Sequence, residues 1–222
     1  ASAMKQGKPV GDTAVQELNE LVEAATTRYA SIVEPESLAR ILARQARRAK
    51  ADLPEKFGQA VQGLLDDFGK ALGITFEGAE GEEFFRSSLI QTAFYGLFAG
   101  WALWWHEKRK EPFRWENLSQ YLTIPFLGEL FHEFQHPKRI KDLRLKQHLD
   151  IATDTLSRVI AERFFERFRG PSVGADGESG DSAGRTAIMY FYEPFLEAFD
   201  PQLRKELGVW STPTEIIKYQ VG

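Results

Sequence analysis

The sequence predicts an all-α fold, a multi-helix bundle around one central apolar helix, and three observations predict it. Apolar residues recur at three- and four-residue spacing through most of the chain, which is the period of one face of a helix. No stretch of convincing length alternates apolar with polar residues, and neither a hairpin signal nor an internal repeat is present. One long run, residues 84–105, is apolar on every side and carries no charge between Leu89 and Trp105, the signature of a helix at the centre of a core. A membrane span needs about 20 apolar residues. The uncharged part, Leu89 to Trp105, is 17 residues and contains Gln91 and Thr92, so buried core is the reading taken and no membrane partner is expected.

Composition bounds the rest. The 222 residues are 43% hydrophobic and 27% charged, ordinary for a globular chain of one or two domains. A net charge of −4 gives no global basic field of the kind that advertises nucleic acid. With no Cys, disulfides, thiolate metal sites and Cys nucleophiles are excluded, and a cytoplasmic location fits. Residues 1–10 are polar and lack the apolar core of a signal peptide. Ala1-Ser2-Ala3 before Met4 reads as a cloning scar, and residues 1–11 as a disordered or tag-like start.

A helical bundle is expected over 12–169. Residues 13–32 place Val15, Leu18, Leu21, Val22, Ala25 and Tyr29 at helical spacing behind the caps Asp12 and Thr13. Residues 35–50 put Leu38, Ile41, Leu42 and Ala46 on one face, and Arg40, Arg44, Arg47, Arg48 and Lys50 on the other. Residues 54–72 form an amphipathic helix closed by Gly73, and 74–81 read as a loop. After the apolar run come a charged turn at 106–111, a short amphipathic piece at 113–121 and a helix opened by Pro125 and running through Phe134. Residues 138–146 are basic, and 143–168 read as one long helix whose Glu162 and Glu166 alternate with Arg163 and Arg167 as exposed pairs. The Gly- and Ser-rich stretch 170–184 is the clearest linker, and helix resumes at Ala187 and runs to Phe199.

Two side-chain patterns carry chemistry. Arg40, Arg44 and Arg47 fall at i, i+4 and i+7 with Arg48 beside them, a stripe able to grip phosphates. The ordinary alternative is a solvated face neutralised by nearby Glu. Arg158, Arg163, Arg167 and Arg169 form a second basic group open to the same two readings. His132-Glu133-Phe134-Gln135-His136 is a literal H-E-x-x-H, in which two His hold zinc and the Glu activates water. Pro137 disfavours helix at the second His, and a third ligand would have to come from His148, Glu162 or Glu166. A zinc hydrolase is therefore a minor alternative beside a plain helix end, and no metal is expected.

The last residues add a different kind of information. Pro201 begins a short helix closed by Gly208, Val209-Trp210-Ser211 reads as extended, and Thr212-Pro213-Thr214-Glu215 has the capping pattern of a new helix, whose free N–H groups suit an anion. The segment FYEPFLEAFDPQLRKELGVWSTPTEIIKYQV closely resembles the entry segment of N6-adenine DNA methyltransferases of restriction–modification systems, most of all the large single-polypeptide type I-like forms. Gly208, Val209, Trp210, Ser211, Thr212, Pro213, Ile216 and Ile217 match in order the family's Gly-(hydrophobic)-aromatic-(polar)-Thr-Pro-x-x-(hydrophobic) segment. The family usually has Tyr where Trp210 and Ser211 stand. LIQTAFYGLFAGWALWW extends the likeness more weakly through the chain.

The resemblance implies that Thr212 and Pro213 line an S-adenosylmethionine pocket, with Trp210 and Ser211 flanking the cofactor. It also implies that residues 185–222 lead into an α/β methyltransferase domain acting on a flipped adenine in DNA. The glycine-rich loop and the Asn/Asp-Pro-Pro-aromatic tetrad that such a domain needs do not occur in these 222 residues. No catalytic residue is therefore expected here, and a fragment that binds the cofactor poorly by itself is the expectation. Its partners would be DNA, the remainder of the methyltransferase, and motor or nuclease domains. A helical protein-interaction module is the alternative from a different class.

Overall fold

The computed structural model describes residues 31–73, 75–107, 110–122, 124–168 and 179–201. The chain divides into two compact units, Ala1–Ser31 and Ile32–Gly222, and every element below belongs to the second. The described residues are predominantly helical and contain no strand, as an all-α fold requires. No helix among them is long and apolar enough to cross a membrane.

Helix α1, Pro35–Asp52, starts with Pro at its first turn, where the missing N–H costs nothing. Its buried face is built largely from alanines, Ala39, Ala43, Ala46 and Ala49, with Leu38 and Leu42 between them. Small side chains let a neighbour come close, and α1 makes its broadest contact with α8, Ser179–Phe199. Helix α2, Gln59–Leu72, ends at Gly73, whose φ of +68° is the left-handed cap conformation that glycine adopts without a Cβ clash. Expected from residue 54, it begins only after Gly58, which is extended; Phe57 instead lies edge-on to Phe85.

Helix α3, Gly78–His106, takes in part of the stretch read as a loop and spans 29 residues. It contacts α1, α8, α4 (Pro125–Phe134), α6 (Lys146–Ser157) and the 3-10 helix Trp115–Gln120. Surrounded in this way, it has no polar stripe between Leu89 and Ala102. Phe98 stacks on Phe191 with ring centroids 3.7 Å apart, and Trp101 on Phe165 at 5.3 Å. A Cβ on Gly96 would meet the Phe131 ring at 2.8 Å, so glycine there is what lets α4 approach.

The helix expected over 143–168 is broken. Helix α5, Pro137–Asp142, precedes α6, and α7 is Ala161–Glu166. Between α6 and α7, Val159 forms a parallel bridge with Ile32; Ile32 N–H donates to Arg158 O, and Ile160 N–H donates to Ile32 O. Backbone groups committed to that bridge are withdrawn from the helical ladder. The expected pairing of Glu162 and Glu166 with Arg163 and Arg167 is not formed, and Arg167 pairs instead with Glu34, the residue before α1. Helix α8 begins at Ser179, inside the stretch read as linker. Gly184 packs onto the His106 ring there, a contact that favours a small residue over a flexible tether.

Candidate functional site

The four arginines proposed from sequence share one surface. At 3.6 residues per turn Arg40, Arg44, Arg47 and Arg48 fall within an arc of about 100°. All four are exposed, and the remaining exposed positions on α1 are Ser37, Ala51 and Asp52. The opposite face of the helix is buried, so its orientation is fixed by the core.

Neutralisation, the ordinary alternative for such a face, is confined among the described residues to Arg40, which acts on the Glu36 carboxylate without a salt bridge. None of their side chains hydrogen-bonds or ion-pairs with Arg44, Arg47 or Arg48. The carboxylates nearby are engaged elsewhere. Glu34 pairs with Arg167. Glu36 accepts a hydrogen bond of 2.6 Å from the Tyr190 hydroxyl. That bond is the main reason its carboxyl lies below the usual range, with Arg167 and Arg40 adding to the effect. Asp52 Oδ2 lies 2.9 Å from Nε2 of His148.

Lys50 departs from the expectation. Placed with the arginines on sequence grounds, it turns inward to a polar junction of α1, α3 and the end of α8. Its ammonium donates to Ser87 Oγ at 2.5 Å and pairs with Glu83 at 2.7 Å and Asp200 at 3.6 Å. Ser87 in turn donates to Asp200 Oδ2 at 3.1 Å. A second buried link joins α1 to α6. Gln45 Nε2 lies 2.7 Å from Nδ1 of His148, which is 7% exposed. With the proton on Nε2, that imidazole donates to Asp52 and accepts from Gln45, using both ring nitrogens. Sequence reasoning missed both junctions. Their partners lie 33 to 150 residues apart, and a polar residue at one helix position carries no mark of which distant partner it meets.

The H-E-x-x-H residues sit at a helix break. Helix α4 ends at Phe134, and His136 is extended with ψ 116° as the residue before α5. The two imidazoles lie with ring centroids 5.7 Å apart, and Glu133 pairs with Arg139. His148 is committed to Gln45 and Asp52 as described, and no group of three metal-ligating side chains is assembled among the described residues. Glu133 also borders an open cleft of about 360 Å³ between α2 and α4, with Leu64, Phe126 and Leu130 as its floor and Asp67 and Glu129 on its rim. Lys70 also lines the cleft and pairs with Asp67 at 3.6 Å, so the rim carries both signs of charge. In the second basic group, Arg167 is held by Glu34, and Arg158 is half-buried beside Thr155; Arg169 lies outside the described residues.

Trp210, Ser211, Thr212 and Pro213 also lie outside the described residues, as does most of the helix expected over 13–32. No protein-family model, curated protein or solved structure matches the chain.

Proposed function

We propose that this chain is the N-terminal helical domain of an S-adenosylmethionine-dependent N6-adenine DNA methyltransferase of a restriction–modification system. The observation that carries the reading is the ordered match of Gly208, Val209, Trp210, Ser211, Thr212, Pro213, Ile216 and Ile217 to the segment that opens the cofactor domain of that family. The fold is compatible with it. Helix α8 runs to Phe199, and Asp200 ties its end to Lys50 and Ser87, so the chain departs toward that segment from a braced point.

On this reading the protein works in the cytoplasm, and Trp210, Ser211, Thr212 and Pro213 contribute one wall of the cofactor pocket. The rest of the pocket, the flipped-adenine site and any motor or nuclease come from residues beyond these 222. The helical body alone transfers no methyl group.

The test is the natural reading frame downstream of Gly222. A glycine-rich loop after a strand, followed by an Asn/Asp-Pro-Pro-aromatic tetrad, is the expected result. A frame that continues without either defeats the reading. A protein-binding helical module is the second reading, favoured by the cleft between α2 and α4, whose apolar floor is ringed by charged side chains. It predicts weak DNA affinity without steep salt dependence.

A further inference from the structure

We infer that the exposed face of α1 is a sequence-independent contact surface for the phosphate backbone of duplex DNA, made by Arg40, Arg44, Arg47 and Arg48. The identity of the polyanion as DNA rests on the methyltransferase reading. The capacity of the face to hold phosphates rests on α1 alone.

Spacing fits the proposal. Eight residues separate Arg40 from Arg48, a rise of about 12 Å at 1.5 Å per residue. The phosphates of one strand advance about 3.4 Å each along the duplex axis, so a face lying along that axis matches the rise of three to four of them. Guanidinium suits the task, because its planar fork matches two phosphate oxygens and its charge is permanent. The face is also preorganised. Core packing, the Gln45–His148–Asp52 link and the Lys50 junction fix the α1 backbone from both flanks, so only the arginine side chains are left to order on binding.

Other polyanionic partners fit less well. A membrane-surface helix needs an apolar stripe to bury in the lipid. The apolar stripe of α1, Leu38, Leu42, Ala46 and Ala49, is already inside the core. Arginine can also pair with guanine edges, so equal affinity for duplexes of unrelated sequence is what separates a backbone contact from base reading by this face.

The experiment titrates the 222-residue chain against two labelled 30-base-pair duplexes of unrelated sequence, over about 50 to 200 mM salt. Four phosphate contacts predict a slope of log K on log salt near −3.6, about −0.9 for each arginine, and equal affinity for the two duplexes. Replacing all four arginines with Gln removes that slope and lowers affinity at least tenfold at the low-salt end, whereas replacing all four with Lys keeps most of the slope. Circular dichroism and melting, unchanged for these exposed positions, establish that the variants are folded. The inference is overturned if the wild-type chain binds neither duplex at about 50 mM salt, if the Gln variant keeps the wild-type slope, or if vesicles containing phosphatidylserine are bound in preference to DNA. It survives separately if the downstream frame lacks the tetrad while the arginine-dependent slope is found, an outcome that defeats only the methyltransferase reading.

Discussion

Helices α1 and α3 lie against each other and use sequence in opposite ways. Helix α3 is buried through its middle, from Phe85 to Ala102, so nearly every side chain from Leu89 to Ala102 is a packing decision. Helix α1 is divided: alanines and leucines face the core, and four arginines face outward, none of them in a salt bridge with a described carboxylate. Stability is concentrated in α3. The outward charge on α1 contributes little to stability, as exposed charges ordinarily do.

Substitutions can break or sharpen that contrast. The largest effect belongs to α3. Trp101 is 2% exposed and packs on Phe98, Phe164 and Phe165, so Trp101→Ala is expected to cost about 3–5 kcal/mol by thermal or denaturant unfolding. Next comes the inward-facing exception on α1. Lys50→Met strips the cation from Glu83 and Asp200 and leaves Ser87 short of a partner, at a cost of about 1–2 kcal/mol. Hydrogen exchange should then quicken in the last turn of α8, whose end is tied to that lysine.

Smaller effects test the connections and the surface. Arg144, between α5 and α6, sits at φ +57°, where a side chain costs about 1 kcal/mol relative to glycine. Arg144→Gly should raise stability by a fraction of that, measured by melting. The four arginines replaced together by Gln should leave stability within about 0.5 kcal/mol of wild type while abolishing the salt-dependent binding.

The smallest expected effect is a pH dependence at the edge of α1. The folded state lowers the pKa of Glu36 through the Tyr190 hydroxyl, so Glu36 adds stability above its unfolded pKa of about 4.3 and loses it as pH falls through the lower folded value. Tyr190→Phe should therefore differ from wild type at neutral pH, and the two unfolding curves should converge in acid.

What could be read from the sequence follows the same division. Periodicity identified α1, α4 and the burial of α3, because a helix face or an all-apolar run is a local pattern. The arginine stripe was legible for the same reason. Local pattern failed where distant partners decide. Ile32 breaks the helix after Ser157 by bridging to Val159, and Glu34 takes Arg167 from the pairing its own helix suggested. Gly184 fits against His106 in what read as a linker, and Lys50 leaves the basic face for Asp200. No residue near any of these in sequence announces the partner.

The most direct measurement is N6-methyladenine formation by the polypeptide of the natural reading frame, with and without the four arginines. The account predicts methylation of duplex DNA by the wild-type enzyme at about 150 mM salt. It also predicts that the Arg40→Gln, Arg44→Gln, Arg47→Gln, Arg48→Gln variant has a KM for DNA at least tenfold higher, with the KM for S-adenosylmethionine unchanged. Absence of N6-methyladenine, or a variant whose KM for DNA matches wild type, would contradict it.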